Sequence, residues 1–221
     1  PLDSIAAALK TRADCRVCLF GPPGTGKTTF GHWLAQETDR PLHLKKASDL
    51  LGPFVGQTER LIAAAFRDAG EDNAILLIDE VDGFLQDRRE AQRSWEVQQV
   101  NELLTQMEHF KGTFIASTNL MDGIESAALR RFDLKIHFDF LRESQLTSLL
   151  QKHLAQLAIH GHLAEACRTI GTLPNATPGD FANVARQHHF QQFQTASDFA
   201  NAVVDECRMK TGSTGKRMGY L

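Results

Sequence analysis

Three glycines, two prolines and a lysine crowd into one eight-residue loop, GPPGTGKT at residues 21–28. A short apolar run precedes this loop and a helical pattern follows it, as the phosphate-binding pattern G-x-x-x-x-G-K-[ST] requires. In that context the glycines let backbone N–H groups turn toward phosphate oxygens, and the start of the helix adds its positive end. We therefore predict a nucleoside triphosphate site formed by Gly21, Pro22, Pro23, Gly24, Thr25, Gly26, Lys27, Thr28 and Thr29.

Short apolar runs alternate with helical patterns over the first 140 residues. Runs such as AILLI at residues 74–78 lack polar alternation, which favours strands of a parallel sheet that is covered on both faces. We predict five strands at residues 16–20, 41–45, 74–78, 113–117 and 134–138. Helical patterns lie at residues 28–38, 58–69 and 94–110. The predicted fold class is therefore α/β, a parallel sheet flanked by helices.

The strand signals end near residue 140, and the sequence beyond it is helical. Residues 142–159 carry one helical stripe, formed by Leu146, Leu149, Leu150, His153, Leu154 and Leu157. Capping boxes at 177–180 and 195–198 predict two further helix starts, and Pro178 strengthens the first. We predict an α/β nucleotide-binding core at 1–140, a small all-helical lid at 141–210 and a flexible tail at 211–221.

Composition narrows the possible partners. The net charge is −3, without the basic excess that is typical of proteins that bind nucleic acid. No apolar run approaches the roughly 18 residues of a membrane-spanning helix, and no signal-like segment is present, so we expect a cytoplasmic protein. Cys15 and Cys18 have the spacing C-x-x-C but lack the second pair of a zinc site, and we predict that they are buried in a strand.

Polar side chains follow the apolar runs. Asp79 and Glu80 come at the end of ILLIDE, and Asn119 ends FIASTN. Ligands of parallel sheets bind at the carboxyl ends of the strands, so these side chains should meet the lysine of the loop there. We predict that Lys27 neutralises the β- and γ-phosphates and that Thr28 and Asp79 hold Mg²⁺. Glu80 would activate a water for attack on the γ-phosphate, and Asn119 would orient that water.

Taken in order, GPPGTGKT, ILLIDEVD, STN and ALRRFD resemble the AAA+ ATPases, and in particular the AAA group proper. The resemblance covers nearly the whole chain. It implies a five-stranded parallel sheet ordered 5-1-4-3-2, with ATP gripped between the core and the helical lid. It also implies a ring, normally a hexamer, that hydrolyses Mg-ATP and remodels or threads polypeptide substrates.

The resemblance also implies functional roles for residues to which the motifs alone assign none. Arg130 and Arg131 of ALRRFD resemble arginine fingers that reach the site of a neighbouring subunit, and we favour Arg131. Gly179, in TPGDFANVA, resembles the start of the lid helix that lies over the nucleotide base.

A loop after the second predicted strand resembles a substrate-gripping element. Phe54, Val55 and Gly56 match the aromatic-hydrophobic-glycine pattern with which these rings hold an extended polypeptide in the central pore. The alternative is that Phe54 packs on helices of its own domain. The charged stretch 86–95 is either a second pore loop or a solvated linker.

Several alternatives stay open from the sequence. The loop could be a glycine-rich turn with an exposed lysine, and the acidic pair could simply mark a strand end. At the level of function, the alternatives are a DNA-associated AAA+ ATPase of the loader type, a small-molecule kinase and a scaffold that binds nucleotide without hydrolysis. A kinase has no use for ALRRFD or for a Phe-Val-Gly loop.

Overall fold

The computed structural model describes residues 2–12, 14–85, 94–119 and 126–210. Contacts divide the chain into two compact units. The core unit comprises Pro1–Pro22 and Lys27–Phe138, and the helical unit comprises Pro23–Gly26 and Asp139–Leu221. Within the described ranges, every helix is too short or too polar to cross a membrane. The role of the helical unit as a nucleotide lid stays a prediction.

A five-stranded, all-parallel sheet lies at the centre of the core unit. Its strands are β1 (Cys15–Phe20), β2 (Leu42–Lys46), β3 (Ile75–Asp79), β4 (Thr113–Thr118) and β5 (Leu134–His137). Their order is β2-β3-β4-β1-β5, which is the predicted order read from the opposite edge. The predicted fold class is therefore confirmed, and each predicted strand end lies within one residue of the observed one.

Helices cover both faces of this sheet. The helical segments of the core unit are α1 (Leu2–Thr11), α2 (Lys27–Thr38), a 3₁₀ turn (Ala47–Leu50), α3 (Gln57–Glu71), α4 (Asp82–Leu85), α5 (Ser94–His109) and α6 (Ser126–Leu129). Alternate residues of β3 belong to different apolar clusters, because successive side chains of a strand point to opposite faces. Leu77 joins α1 and α2 in one cluster, whereas Leu76 joins α3 and α5 in the other.

Strand β1 bears out the prediction for the two cysteines. Cys15 and Cys18 are buried, and burial raises the pKa of each thiol to about 11. Helix α1, by contrast, has no counterpart among the sequence predictions. Among the residues of α1 whose burial is described, Ala6 and Leu9 are buried and Ile5 is half-buried, which is too few apolar residues to give a clear helical period.

The described residues of the helical unit form four helices: α7 (Glu143–Gln156), α8 (Leu163–Ile170), α9 (Pro178–Gln187) and α10 (Ala196–Lys210). The predicted leucine stripe lies on α7, where Leu146, Leu150 and Leu154 are buried in the apolar cluster of the unit. The predicted tail at 211–221 lies outside the described residues.

Both predicted capping boxes are present in the helical unit. At the start of α9, the backbone N–H of Thr177 donates to Asp180 Oδ2 at 2.7 Å. Before α10, the backbone N–H of Thr195 donates to Asp198 Oδ2 at 2.9 Å. Pro178 occupies the first turn of α9, as predicted.

Candidate active site

Three neighbouring strands, β3, β4 and β1, deliver polar groups to one edge of the sheet. Asp79 is the last residue of β3, Asn119 directly follows β4, and the glycine-rich loop after β1 leads to Lys27. Because the strands are parallel, these carboxyl ends lie at the same edge.

Lys27 is the centre of the site. Its side chain is buried, and Nζ donates to the carbonyl oxygens of Gly21 at 2.8 Å and Pro22 at 2.9 Å and to Asn119 Oδ1 at 2.9 Å. Burial lowers the pKa of Lys27, and the nearby carboxylates of Asp79 and Asp82 oppose that shift. The lysine is thus directed into the loop by three oxygen acceptors.

Asp79 joins the loop to the sheet. The Thr28 hydroxyl donates to Asp79 Oδ2 at 2.7 Å, and the Ser117 hydroxyl of β4 donates to Asp79 Oδ1. The backbone N–H of Glu80 donates to the same Oδ1 at 3.0 Å. An adjacent hydroxyl and carboxylate are the hard oxygen ligands that Mg²⁺ prefers, so Thr28 and Asp79 fit this ion.

Glu80 stands apart from these contacts. Its backbone has a φ of +59°, which is uncommon for a residue other than glycine. Its side chain is exposed, and the described residues provide no hydrogen-bond partner for its carboxylate. The structure therefore brings Lys27, Thr28, Asp79 and Asn119 together, whereas Glu80 adjoins them through its backbone.

Loop glycines meet two different local demands. A Cβ on Gly21 would lie 1.8 Å from the carbonyl oxygen of Phe138, so no side chain fits there. Gly26 has a φ of +97°, and a Cβ there would meet nothing within 4 Å. The space beside Gly26 is thus open, as a phosphate cradle requires.

Within the helical unit, the middle of the loop contacts the start of α9. The backbone N–H of Gly179 donates to the carbonyl oxygen of Gly24 at 2.9 Å. Gly179 therefore adjoins the predicted nucleotide loop, and its contact with a nucleotide base stays a prediction. Of the remaining loop residues, Thr25 is buried, and Pro23 is exposed. Thr29 is exposed in the first turn of α2.

The two arginines of ALRRFD differ in their surroundings. Arg131 donates from Nε to Glu108 Oε1 and from Nη1 to the Ala127 carbonyl oxygen at 2.9 Å. Hydrogen bonding to Arg131 lowers the pKa of Glu108. Arg130 is exposed and forms no ion pair with the described residues. Neither arginine contacts the cluster around Lys27.

The candidate pore loop is exposed on the core unit. The exposed fraction is 75% for Phe54 and 93% for Val55. The packing alternative for Phe54 is therefore wrong. Gly56, with a φ of +79°, is the N-cap residue of α3 and ends the loop. In the charged stretch 86–95, residues 86–93 lie outside the described residues, and the last two begin α5.

Comparison with known proteins identifies the family. A family model described as the ATPase family associated with various cellular activities, AAA, matches residues 17–140, more than half of the chain. The chain belongs to this AAA family of ATPases. The predicted family and the predicted enzymatic class, an ATPase, are thereby confirmed at the level of the family.

Several curated proteins are similar to this AAA chain. The 26S proteasome regulatory subunit 6B homolog of Aspergillus niger is 36% identical over 149 residues, which are 63% of this chain and 35% of that protein. Spastin of Sus scrofa is 32% identical over 167 residues, 66% of this chain and 27% of spastin. Proteasome-activating nucleotidase 2 of Halobacterium salinarum is 35% identical over 153 residues, which are 65% of this chain and 37% of that protein. The matched region thus spans well under half the length of these relatives.

Two hydroxyls of β4 have no role in the sequence predictions for this AAA chain. Besides the contact of Ser117 with Asp79, the Thr118 hydroxyl donates to Asp82 Oδ1. The Ser117 carbonyl oxygen also accepts the backbone N–H of Val81 at 3.0 Å. The available signal was a pair of hydroxyl residues after the apolar run FIA, directly before Asn119.

Proposed function

We propose that this chain is a motor module that binds Mg-ATP at residues 21–28 and couples its hydrolysis, in a ring oligomer, to remodelling or threading of protein substrates. One observation carries the proposal: Lys27 and Thr28 after β1, Asp79 at the end of β3 and Asn119 after β4 lie at one sheet edge. There Lys27 donates a hydrogen bond to Asn119, and Thr28 donates one to Asp79. Family membership supports ATP as the nucleotide.

Each residue would have a defined part in hydrolysis. Lys27 would bind the β- and γ-phosphates, in place of some of its present oxygen acceptors. Thr28 and Asp79 would hold Mg²⁺, which supplies positive charge to the phosphate oxygens. The Glu80 carboxylate is exposed and would accept a proton from the attacking water, and the Asn119 amide would orient that water. The left-handed backbone of Glu80 fits a residue whose orientation is under functional constraint.

Within the described residues, no arginine contacts Lys27, Thr28, Asp79 or Asn119, and a neighbouring subunit of a ring would supply one. Arg130 is exposed, whereas Arg131 is engaged by Glu108 and by a backbone carbonyl of its own subunit. These contacts favour Arg130 as the guanidinium that reaches a neighbouring site, in place of the Arg131 that the motif alone favours. The number of subunits, six by family resemblance, stays a prediction, as does the cytoplasmic location.

The exposed loop supports a polypeptide substrate. Phe54 and Val55 present apolar surface to solvent, and broad apolar contact suits the binding of varied side chains. Two similar proteins carry the proteasome in their names, which agrees with action on proteins. A DNA-associated ATPase is the alternative, and the net charge of −3 disfavours it.

Glu80→Gln and Lys27→Ala test the proposal. Glu80→Gln should bind ATP but release phosphate about 10²–10⁴-fold more slowly, because the missing group acts on water. Lys27→Ala should lose tight ATP binding. Glu37→Gln, at an exposed site on α2, is the matched control and should hydrolyse ATP at the parent rate. ATP binding and phosphate release are measured on the same samples.

Three outcomes would contradict this assignment. If Glu80→Gln hydrolyses ATP at the parent rate, Glu80 has no part in the mechanism. If Lys27→Ala binds ATP with unchanged affinity, residues 21–28 do not form the nucleotide site. Transfer of labelled phosphate to an added acceptor would favour a kinase. Stimulation of hydrolysis by single-stranded DNA, but not by unfolded protein, would favour the DNA-associated alternative.

A further inference from the structure

The helical unit contains a buried carboxylate at the start of α9. Asp180 is 1% exposed. Its Oδ2 accepts the backbone N–H of Thr177 at 2.7 Å and the Thr177 hydroxyl at 2.9 Å. A carboxylate this deeply buried is costly unless hydrogen bonds and an opposite charge compensate for the lost water.

Lys210 provides that opposite charge. It is the last residue of α10, and its Nζ lies 2.5 Å from Asp180 Oδ2 and 3.1 Å from the Thr177 hydroxyl. No other cation of the described residues forms an ion pair with Asp180. Cys207, one turn earlier on α10, lies 3.6 Å from the same oxygen, and burial raises the pKa of its thiol to about 12. The thiol thus stays neutral, and compensation depends on Lys210.

The same helix start touches the candidate phosphate loop. Besides the hydrogen bond from Gly179 to Gly24, a Cβ on Gly24 would lie 2.9 Å from the Thr177 hydroxyl oxygen. A Cβ on Gly179 would lie 3.0 Å from the Gly24 Cα. Asp180 therefore fixes the residues that pack directly on the loop.

We propose that Lys210 is a positioning residue for the phosphate loop: its ion pair with Asp180 holds the start of α9 against Gly24 of that loop. The inference rests on the proposed binding of ATP at residues 21–28. It adds a residue that lies more than 180 positions away from the loop in sequence.

The loss of the lysine charge has one physical consequence. An unpaired Asp180 carboxylate would move toward water, away from Thr177, and so loosen the contact between Gly179 and Gly24. Because Gly24 belongs to the loop that is proposed to bind the nucleotide, the Michaelis constant should change more than the turnover number.

Charge-removing and charge-keeping variants separate this role from simple packing. Lys210→Met keeps an unbranched side chain without charge and should weaken ATP affinity about tenfold. Lys210→Arg keeps the charge and should stay within about threefold of the parent. Lys152→Met, at an exposed lysine of α7, is the matched control and should bind ATP like the parent. A fluorescent ATP analogue reports affinity, and circular dichroism reports folding.

A double variant isolates the charge. In Asp180→Asn the amide oxygen can still accept the Thr177 N–H, and no buried charge remains to be compensated. Adding Lys210→Met to Asp180→Asn should then change ATP affinity by less than about twofold. This comparison stays decisive even if Lys210→Met alone fails to fold.

The outcomes distinguish this inference from the proposed function. Failure of the parent chain to bind ATP would overturn the proposed function before any variant is compared. Parent binding with unchanged affinity in Lys210→Met would overturn only the role of Lys210. A further tenfold loss when Lys210→Met is added to Asp180→Asn would do the same, because it would show that the lysine acts independently of the carboxylate.

Discussion

At the scale of single residues, two glycines of one loop are required for different reasons. Gly21 has a φ of +136° and faces the Phe138 carbonyl oxygen. The Phe138 backbone N–H donates to the Phe20 carbonyl oxygen at 2.8 Å. This hydrogen bond holds the start of the loop against the end of β5. Gly26 has open space where a side chain would be. Gly21 thus serves packing, and Gly26 serves the proposed ligand.

Alanine at each position should separate these purposes. Gly21→Ala should lower the free energy of unfolding by about 3 kcal/mol or more, because its methyl group would overlap a backbone oxygen. Gly26→Ala should cost about 1–2 kcal/mol through its left-handed backbone and still fold, but its methyl group should obstruct ATP. Urea unfolding and ATP titration of both variants check this. A Gly21→Ala variant as stable as the parent, or parental ATP affinity in Gly26→Ala, would contradict it.

The residues of the site divide into those that the sequence predicts and those that it does not. Lys27 and Asp79 follow from their motifs, because each motif fixes both a residue type and its position after a strand. The hydrogen bond from Ser117 to Asp79 joins residues 38 positions apart, and a hydroxyl in a buried strand has no periodic signal. The left-handed backbone of Glu80 is likewise set by the tertiary fold and has no signal in the sequence.

At the scale of secondary-structure elements, predictability depended on the apolar pattern. β3 and β4 are buried on both faces, and each contains an uninterrupted apolar run, ILLI and FIA, that a prediction can find. β2 lies at the edge of the sheet and is largely exposed, yet its predicted position is shifted by only one residue, as is that of the buried β3. In α1, the residues whose burial is described include too few buried apolar ones to give a pattern. The loop before α3 was predicted only through resemblance to a family.

Truncation of that loop tests its proposed grip on polypeptide. Phe54→Ala should reduce the amount of protein unfolded per ATP hydrolysed by about tenfold, because the exposed ring supplies the apolar contact. Phe190→Ala is the matched control: Phe190 is 93% exposed on the helical unit, and its truncation should leave this ratio unchanged. Fluorescence loss of a folded reporter with an unfolded extension measures unfolding, and phosphate release measures hydrolysis.

The two phenylalanines make the result decisive. Both substitutions remove an exposed ring, so each should change the free energy of unfolding by less than about 0.5 kcal/mol. An equal loss of unfolding in both variants would indicate a general effect of surface apolar residues. No loss in Phe54→Ala would remove this loop from substrate handling.

At the scale of the whole molecule, the part of the chain that the structure describes places no arginine in contact with Lys27, Thr28, Asp79 or Asn119. Arg131 forms an ion pair with Glu108, which lies 23 positions earlier on α5. The motif ALRRFD does not include Glu108 and therefore does not predict this contact. The motif alone favours Arg131, while the observed contacts favour Arg130 as the group free to act on a neighbour. The choice between them therefore depends on tertiary structure and, in the proposed ring, on assembly.

Mixed assemblies can identify the arginine that acts between subunits. Arg130→Ala should lower hydrolysis about a thousandfold in the assembled protein. Arg131→Ala and Glu108→Gln should have smaller effects, because both break an exposed ion pair and Arg131→Ala removes one further hydrogen bond, to the Ala127 carbonyl oxygen. Subunits with Arg130→Ala keep a complete site, and subunits with Lys27→Ala keep a complete arginine. Mixing the two inactive variants should therefore restore phosphate release, measured against protein concentration with the assembled mass. Two outcomes would show that Arg130 does not act in trans. One is that mixing Arg130→Ala with Lys27→Ala subunits restores no phosphate release. The other is that only a mixture of Arg131→Ala with Lys27→Ala subunits restores it.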